Sequence, residues 1–410
     1  MLLIGIDWAD DHHDAALMTE SGEILVEFRF SHDQAGFDSL HTQIKRYEPT
    51  ANEILVALET KHGLLVHELY RSGYVVYALN PKAVNRYKDR LRSTTRKDDK
   101  FDARTMANIL RTDRHLHRPL TLCADDYRLL DRLCKDLNLV IHDTTRLGNR
   151  LLDSLKEWYP AALGVFGLDS AIFLELLSEF PAPSDVEGLT QQQFNLFLKQ
   201  HRYSVPHKAQ EAYEQLKRQT PKADPVAIAA GKLKVKALAD QLKLLYANRK
   251  DYERAINELL DKLPEADIIS SLPGVGKKLT PEITAMFGPN MKDAPKRFEQ
   301  AKDISDLAGA SPVTKQSGKF KVVTFRYACD RNMRQTIRTW AATSIKESRW
   351  AKAFYDWHRK QLDSHETILR KLAGKWIKIA FHLWKTGEHY NEDLHIAALK
   401  ARNVVWATSL

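Results

Sequence analysis

The chain has almost no cysteine: Cys123, Cys134 and Cys329 are the only three in 410 residues, and none sits in a CxxC spacing. An odd, scattered set of thiols excludes a disulfide framework and gives no cysteine-based zinc site. Long apolar runs are missing as well. Charges interrupt every hydrophobic stretch, so neither a secretion signal nor a membrane span is expected, and a cytoplasmic protein is. No low-complexity tract and no fixed-period repeat is present. The opening strand sequence IGID is followed by Trp8-Ala9-Asp10-Asp11-His12, without the glycine-rich phosphate turn that a sugar-kinase or actin-type ATPase needs there.

Present instead are length and positive charge. A chain of 410 residues, 43% hydrophobic, is long enough for two or three domains. Its 62 Lys and Arg against 53 Asp and Glu give a net charge of +9, which suits a polyanionic partner. That charge is concentrated. Between Pro81 and Leu120 stand 12 Lys or Arg and 5 Asp or Glu, including Lys82, Arg86, Lys88, Arg90, Arg92, Arg96 and Lys97. This stripe reads either as a solvated basic surface or as a track for a phosphate backbone, and Tyr87 within it offers a ring on which a base can stack.

Four carboxylates adjoin the stripe. Leu2–Ile6 is an apolar run that ends at Asp7, and Ile54–Leu58 is a second that ends at Glu59. Asp99 and Asp102 lie three apart at the start of a helical pattern through Ala103, Met106, Ala107 and Leu110, so both can share one face. Carboxylates converging from separate elements can hold a hard cation such as Mg²⁺ or Mn²⁺, which neutralises charge on a reacting phosphodiester. Each acid taken alone reads as a solvated or capping residue before it reads as a ligand, and only their joint placement favours a metal site. His12 and His13 adjoin Asp7, but neighbours on a strand point to opposite faces, so at most one can enter the site.

Around these acids the N-terminal segment reads as an α/β unit. An antiparallel hairpin over His13–Thr19 and Ile24–Phe30, turning at Ser21-Gly22-Glu23, follows the first strand. A helix over about 33–47, the Glu59 strand, a helix over about 63–71 and a strand over Tyr74–Leu79 come next. Hairpin first and strand-helix alternation after is the order of a ribonuclease-H-like fold of the junction-resolvase type.

Further along, Leu130, Leu133, Leu137, Val140, Thr144, Leu147, Leu151, Leu155 and Trp158 step by threes and fours, as do Val235, Leu238, Leu242 and Leu245 and then Tyr252, Ile256, Leu259 and Leu263. Such seams need partners, supplied either by an intramolecular helical hairpin or by a coiled coil between chains. The proline-punctuated stretch between them reads as short helices and turns. Leu272-Pro273-Gly274-Val275-Gly276, then Lys277, Lys278 and a helix from about Thr280 or Pro281, resembles a helix-hairpin-helix turn, whose glycines, amides and lysines grip phosphate; an ordinary tight turn is the alternative. Ser317-Gly318 between polar residues is an ordinary turn signal. Trp340, Trp350, Trp357, Trp376 and Trp384 read as core residues of C-terminal helices.

Asp7 in GID, Glu59 in ALE, the K-x-D-x-x-D-A block at Lys97–Ala103, and the blocks LPGVG and LAGASPVTKQSGK together resemble the DEDD transposases of bacterial insertion sequences. The resemblance covers roughly 1–155 and 265–395. It implies an α/β plus all-α chain: a RuvC-like metal-binding domain over 1–156, a helical coiled-coil connector over 157–262, and a mainly helical transposase domain over 263–410. It implies Asp7, Glu59, Asp99 and Asp102 as ligands of Mg²⁺ or Mn²⁺, and Ser317 as the nucleophile that forms a phosphoserine ester with cleaved DNA. With acids and serine in separate domains, the working centre is expected to be composite. Nucleic-acid contacts are expected from Lys82, Arg86, Arg90, Arg96, Lys97, Gly274, Gly276, Lys277, Lys278, Lys315, Lys319 and Arg334. The implied partners are target and donor double-stranded DNA, a noncoding bridge RNA that guides the enzyme, and further copies of the chain, as dimers pairing into a tetramer; no membrane is involved. A metal-dependent junction nuclease that hydrolyses with water, Ser317 being structural, is the alternative, and a nonenzymatic DNA-bridging protein a third.

Overall fold

The computed structural model of the protein describes residues 1–91, 99–121, 123–203, 205–290, 298–318, 320–408 and 410, with the side chains of 91, 99 and 206 left outside that description. Arg96, Lys97 and Lys319 therefore lie outside the described residues. The chain divides into two compact units, Met1–Leu122 and Cys123–Leu410. The first is mixed α/β and the second almost wholly helical.

The first unit contains strands β1 (Leu2–Trp8), β2 (His12–Thr19) and β3 (Ile24–Ser31), helix α1 (Gln34–Tyr47), strand β4 (Ile54–Leu58), helix α2 (Leu64–Arg71), strand β5 (Val75–Ala78), and helices α3 (Pro81–Leu91) and α4 (Asp99–Asp113). The hairpin and the strand-helix alternation expected from the sequence are both there. The five strands form one sheet in the order β3-β2-β1-β4-β5, with β1 antiparallel to β2 and parallel to β4. A central strand covered on both faces must be apolar on both, which is why Leu2–Ile6 reads as a continuous run. Ile4, Ile6, Leu17, Val56 and Leu58 bury one face of the sheet with Phe37, Leu40, Leu65 and Leu69 of α1 and α2. Leu3, Leu55 and Ala57 bury the other with Met106, Ala107 and Leu110 of α4. Each large apolar side chain so buried contributes about 1.5–3 kcal/mol.

Gly5 lets α4 lie directly on β1. A Cβ there would stand 1.9 Å from the Ala103 carbonyl oxygen and 2.6 Å from the Ala107 nitrogen. Leu3 packs with Met106 and Leu110, while Gly5 meets Ala103 and Ala107, so the helix runs antiparallel to the strand. Its first turn consequently reaches the end of β1 that carries Asp7.

The second unit is built on two long helices, α5 (Asp125–Trp158) and, beyond the short helices α6 (Ala171–Glu179), α7 (Pro183–Glu187), α8 (Gln191–Gln200) and α9 (Pro206–Leu216), α10 (Pro225–Leu260). The leucine seams close on each other within the chain, antiparallel. Trp158 at the end of α5 meets Gly231 near the start of α10, where a Cβ would stand 2.2 Å from the indole nitrogen, and Leu130 shares a core with Ile256 and Leu259 at the opposite end. The intramolecular alternative is thus the one realised. Since α5 packs on α10, it lies in the second unit.

Next come α11 (Glu265–Ser270), α12 (Gly276–Phe287) and α13 (Ala301–Leu307), the hairpin strands β6 (Val313–Ser317) and β7 (Phe320–Thr324), and helices α14 (Arg331–Glu347), α15 (Arg349–Lys360), α16 (His365–Thr386) and α17 (Glu392–Ala401). Trp340, Trp350, Trp376 and Trp384 are buried among these helices and Trp357 packs against the same core, as the sequence leads one to expect. One boundary needs correction: α12 begins at Gly276, not at Thr280 or Pro281. Pro281 stands inside the helix without an amide to donate to the Lys277 carbonyl, and one residue before it the Thr280 hydroxyl donates to the Gly276 carbonyl at 2.9 Å. No helix among the described residues is long and apolar enough to cross a membrane.

Candidate active site and nucleic-acid interface

Two of the acids meet where parallel strands end. Ile6 pairs with Leu58 across β1 and β4, so Asp7 and Glu59, one residue further on each strand, are neighbours at the same sheet edge. Both share the parity of Gly5 and Ala57, so both face α4. Asp102 lies on the first turn of that helix, and its Oδ2 stands 2.6 Å from the Nζ of Lys88 on α3. Burial raises the Glu59 carboxyl above its ordinary range, the nearby Asp102 charge adds to the rise, and Lys88 opposes it. The fold thus gathers Asp7, Glu59 and Asp102 along one edge, with an ammonium in the field of at least two of them. Asp99 opens α4 by its backbone, but its side chain lies outside the description. Among the described residues no three His, Cys, Asp or Glu side chains stand within ligating reach of a single ion. The donors are all carboxylate oxygens from separate elements, which is the chemistry a hard divalent cation selects.

Two residues of this edge were not singled out by sequence reasoning. Lys88 is one of many cations in its stripe until α3 folds. Lys82, Arg86 and Arg90 then fall on one exposed face at four-residue steps, while Lys88 turns to the acids. Asp14 is the other. It pairs in register with Asp7 and is 4% exposed, and its two oxygens accept from Arg29 Nε at 3.1 Å and Nη2 at 2.7 Å. Only the hairpin register reveals it, because cross-strand partners share a face. His13 has the opposite parity and points away from the acids; its Nε2 lies 2.7 Å from His32 Nδ1, and burial pushes its pKa down to about 4. His12 shares the acid face but is held at the surface, 2.6 Å from Asp11. Tyr87 is fastened to α4, its hydroxyl 2.7 Å from Thr112 Oγ1 and accepting from Asn108 at 3.3 Å, so its ring serves packing.

Ser317 ends β6 and pairs with Phe320, the first residue of β7. Gly318 between them takes φ +57°, the left-handed backbone a tight hairpin turn demands. The serine hydroxyl is exposed and makes no hydrogen bond to another described residue. Lys315, two residues back, shares its face; Lys321, paired with Gln316, occupies the other. Phe320 also shares the face of Ser317 and is 68% exposed, a placement visible only once the hairpin register is known. Past the end of β7, the guanidinium of Arg334 stands 5.1 Å from the centroid of the Phe325 ring.

The glycine turn divides its labour. Gly274, at φ +79°, is buried against α14: its N–H donates to Glu347 Oε2 at 2.7 Å, its carbonyl accepts from Thr343 at 2.6 Å, and a Cβ would stand 2.5 Å from the Ser344 nitrogen. Its amide is therefore already used. Gly276, Lys277 and Lys278 are exposed at the start of α12 and keep the turn's polar surface open to an anion.

Two segments of the chain match known families. Residues 4–160 match the model of the DEDD-type IS110 transposase family, described as transposase, and residues 266–356 match that of the transposase IS116/IS110/IS902 family. The chain is 30% identical over 409 residues to the mini-circle putative transposase for IS117 of Streptomyces coelicolor, covering 96% of each chain. It is 30% identical over 336 residues, 77% of each chain, to the insertion element IS116 uncharacterized 44.8 kDa protein of Streptomyces clavuligerus. With the putative transposase y4uE of Sinorhizobium fredii it shares 31% identity over 204 residues, 48% of this chain and 56% of that one. Since the acid edge and the serine hairpin fall one in each matched segment, and one such relative spans nearly the whole chain, the protein belongs to the IS116/IS110/IS902 family of insertion-sequence transposases, enzymes that cut and join DNA.

Proposed function

We propose that this transposase moves its insertion sequence by a phosphoserine route at Ser317, with Asp7, Glu59, Asp99 and Asp102 holding Mg²⁺ or Mn²⁺ and a noncoding guide RNA choosing target and donor duplexes. The observation that carries the reading is the shared edge of Asp7, Glu59 and Asp102, where an ammonium already answers the negative charge. A bound divalent cation supplies charge neutralisation at the phosphodiester. The Ser317 oxygen attacks phosphorus, the P–O bond to a deoxyribose oxygen breaks, and that oxygen leaves with a proton while the hydroxyl gives one up. Attack on the phosphoserine ester by a sugar hydroxyl restores the serine and needs no ATP. Lys315 on the same hairpin face offsets phosphate charge, and the exposed cations Lys82, Arg86, Arg90, Lys277 and Lys278, with Arg334, Arg96, Lys97 and Lys319, hold backbone.

The functional division we propose is a RuvC-like, ribonuclease-H-like domain over 1–156, a connector over 157–262 and a transposase domain over 263–410; the matched segments 4–160 and 266–356 support it. The guide RNA and the pairing of dimers into a tetramer rest on the family resemblance. The leucine seams pack on each other within the chain.

Replacing Asp7, Glu59, Asp99 or Asp102 by Ala tests the metal assignment. Each variant is expected to fold yet to lose strand exchange by more than the roughly 10–100-fold that loss of an outer-shell partner costs. Full activity in EDTA, or from RNase-treated protein, would remove the metal or the guide RNA from the reading.

A further inference from the structure

At the foot of the serine hairpin, among α13, α14 and α16, lies a cavity of about 270 Å³. Its floor is apolar, made by Ile337 and Leu369, both 1% exposed, with Ala373 beside them. Its wall is Phe325, over whose ring the Arg334 guanidinium stands at 5.1 Å. Arg338 and Glu366 close part of the rim by pairing with each other, Nε to Oε2 at 2.8 Å. Arg334 and Arg370 have no carboxylate partner among the described residues, so three arginines against one glutamate leave the cavity a net +2.

We infer that this cavity receives one nucleotide of the DNA strand being processed, with its base drawn out of the stack. The inference rests on the transposase acting on DNA at the hairpin, as proposed above. Three features select this occupant. The volume falls just under the roughly 300 Å³ at which pockets for drug-sized ligands begin, which suits one base and its sugar. A flat apolar floor with an aromatic wall accepts the faces of a base whatever its identity. The two unpaired guanidinium groups give its phosphate the bidentate donors that planar cations supply. Position agrees: β6 and β7 are five residues each, so the cavity lies within about 15–20 Å of Ser317 along the hairpin, a few nucleotides from the bond it would cut.

Unstacking a base costs a few kcal/mol, and less when the base is mismatched. Duplexes carrying a single mismatch at successive positions beside the cleavage bond are therefore titrated with the full-length protein and its copurified RNA. Wild type should bind one mismatch position about tenfold tighter than the paired duplex. Thr367→Trp at the rim and Ala373→Phe at the floor each fill the cavity, and both should lose that preference while binding paired DNA as wild type does; Arg370→Gln should reduce it. No preferred position in wild type, a preference that survives both filled variants, or a response confined to bases of the RNA would overturn the assignment. A wild-type protein that binds none of these duplexes would sink the DNA reading itself, and the cavity's assignment with it.

Discussion

Lys88 and Asp102 form an ion pair of 2.6 Å whose side chains are only 20% and 21% exposed, and it joins α3 to α4 at the edge where Glu59 lies within the field of both. An ammonium at that point takes the electrostatic place of a cation. Lys88→Met should therefore raise Mn²⁺ affinity by about tenfold, ~1.4 kcal/mol, because a competing positive charge is gone. Titration followed by electron paramagnetic resonance of free Mn²⁺ measures it. An unchanged affinity would show that Lys88 does not compete for the acids.

Glu59 sets the acid limit of metal binding. Its raised pKa means that the folded protein holds the proton more tightly than the unfolded chain, so ionising Glu59 costs stability as pH rises through that raised value. Metal needs the carboxylate, so Mn²⁺ binding should fail as pH drops through a value above the ordinary glutamate pKa of about 4.3. In Lys88→Met the limb should move to still higher pH. Glu59→Gln, measured without metal at neutral pH, should melt at a higher temperature than wild type. A binding limb at or below the ordinary value contradicts the burial argument.

Gly5→Ala should separate α4 from the sheet. A Cβ 1.9 Å from a backbone oxygen cannot be absorbed by a side-chain rotation, and overpacking of a close-packed core costs about 1–3 kcal/mol or more. Urea denaturation should show that loss, and strand exchange should fall with it because Asp102 rides on α4. Wild-type stability would mean the helix does not lie where the glycine puts it.

Phe320 beside Ser317 should stack on a base of the bound strand. Phe320→Ala is expected to weaken DNA binding by about 1–3 kcal/mol, and Phe320→Trp to retain it. Equal affinity in all three proteins, by fluorescence anisotropy, would make its exposure incidental.

Much of this site was legible because continuous apolar runs and the strand ends they mark are local signals. LLIGIDW and ILVALE announce buried strands that terminate in acids, and their parallel pairing brings Asp7 beside Glu59. Asp14 was not legible: its role depends on the register of β1 against β2, and a slip of one residue would turn it to the other face. Lys88 was hidden for a related reason, since only the docking of α3 distinguishes it from Lys82 or Arg86. Gly274 illustrates a reading that sequence leaves ambiguous. A glycine turn that binds phosphate and one that packs on a helix have the same residues, and the bond from its amide to Glu347, 73 residues away, tells them apart. The seams on α5 and α10 predict helices and partners, but apolar spacing does not distinguish a partner in the same chain from one in another copy.

Ser317 bears the central claim. Wild-type protein incubated with labelled DNA and Mg²⁺, then run on a denaturing gel, should show DNA bonded to protein, and peptide mapping should place the bond in the segment carrying Ser317. Ser317→Ala should bind nucleic acid as before and give neither the adduct nor cleavage. Cleavage by Ser317→Ala at the wild-type rate, without any denaturant-resistant adduct in either protein, would contradict the account and leave a metal-bound water as the nucleophile.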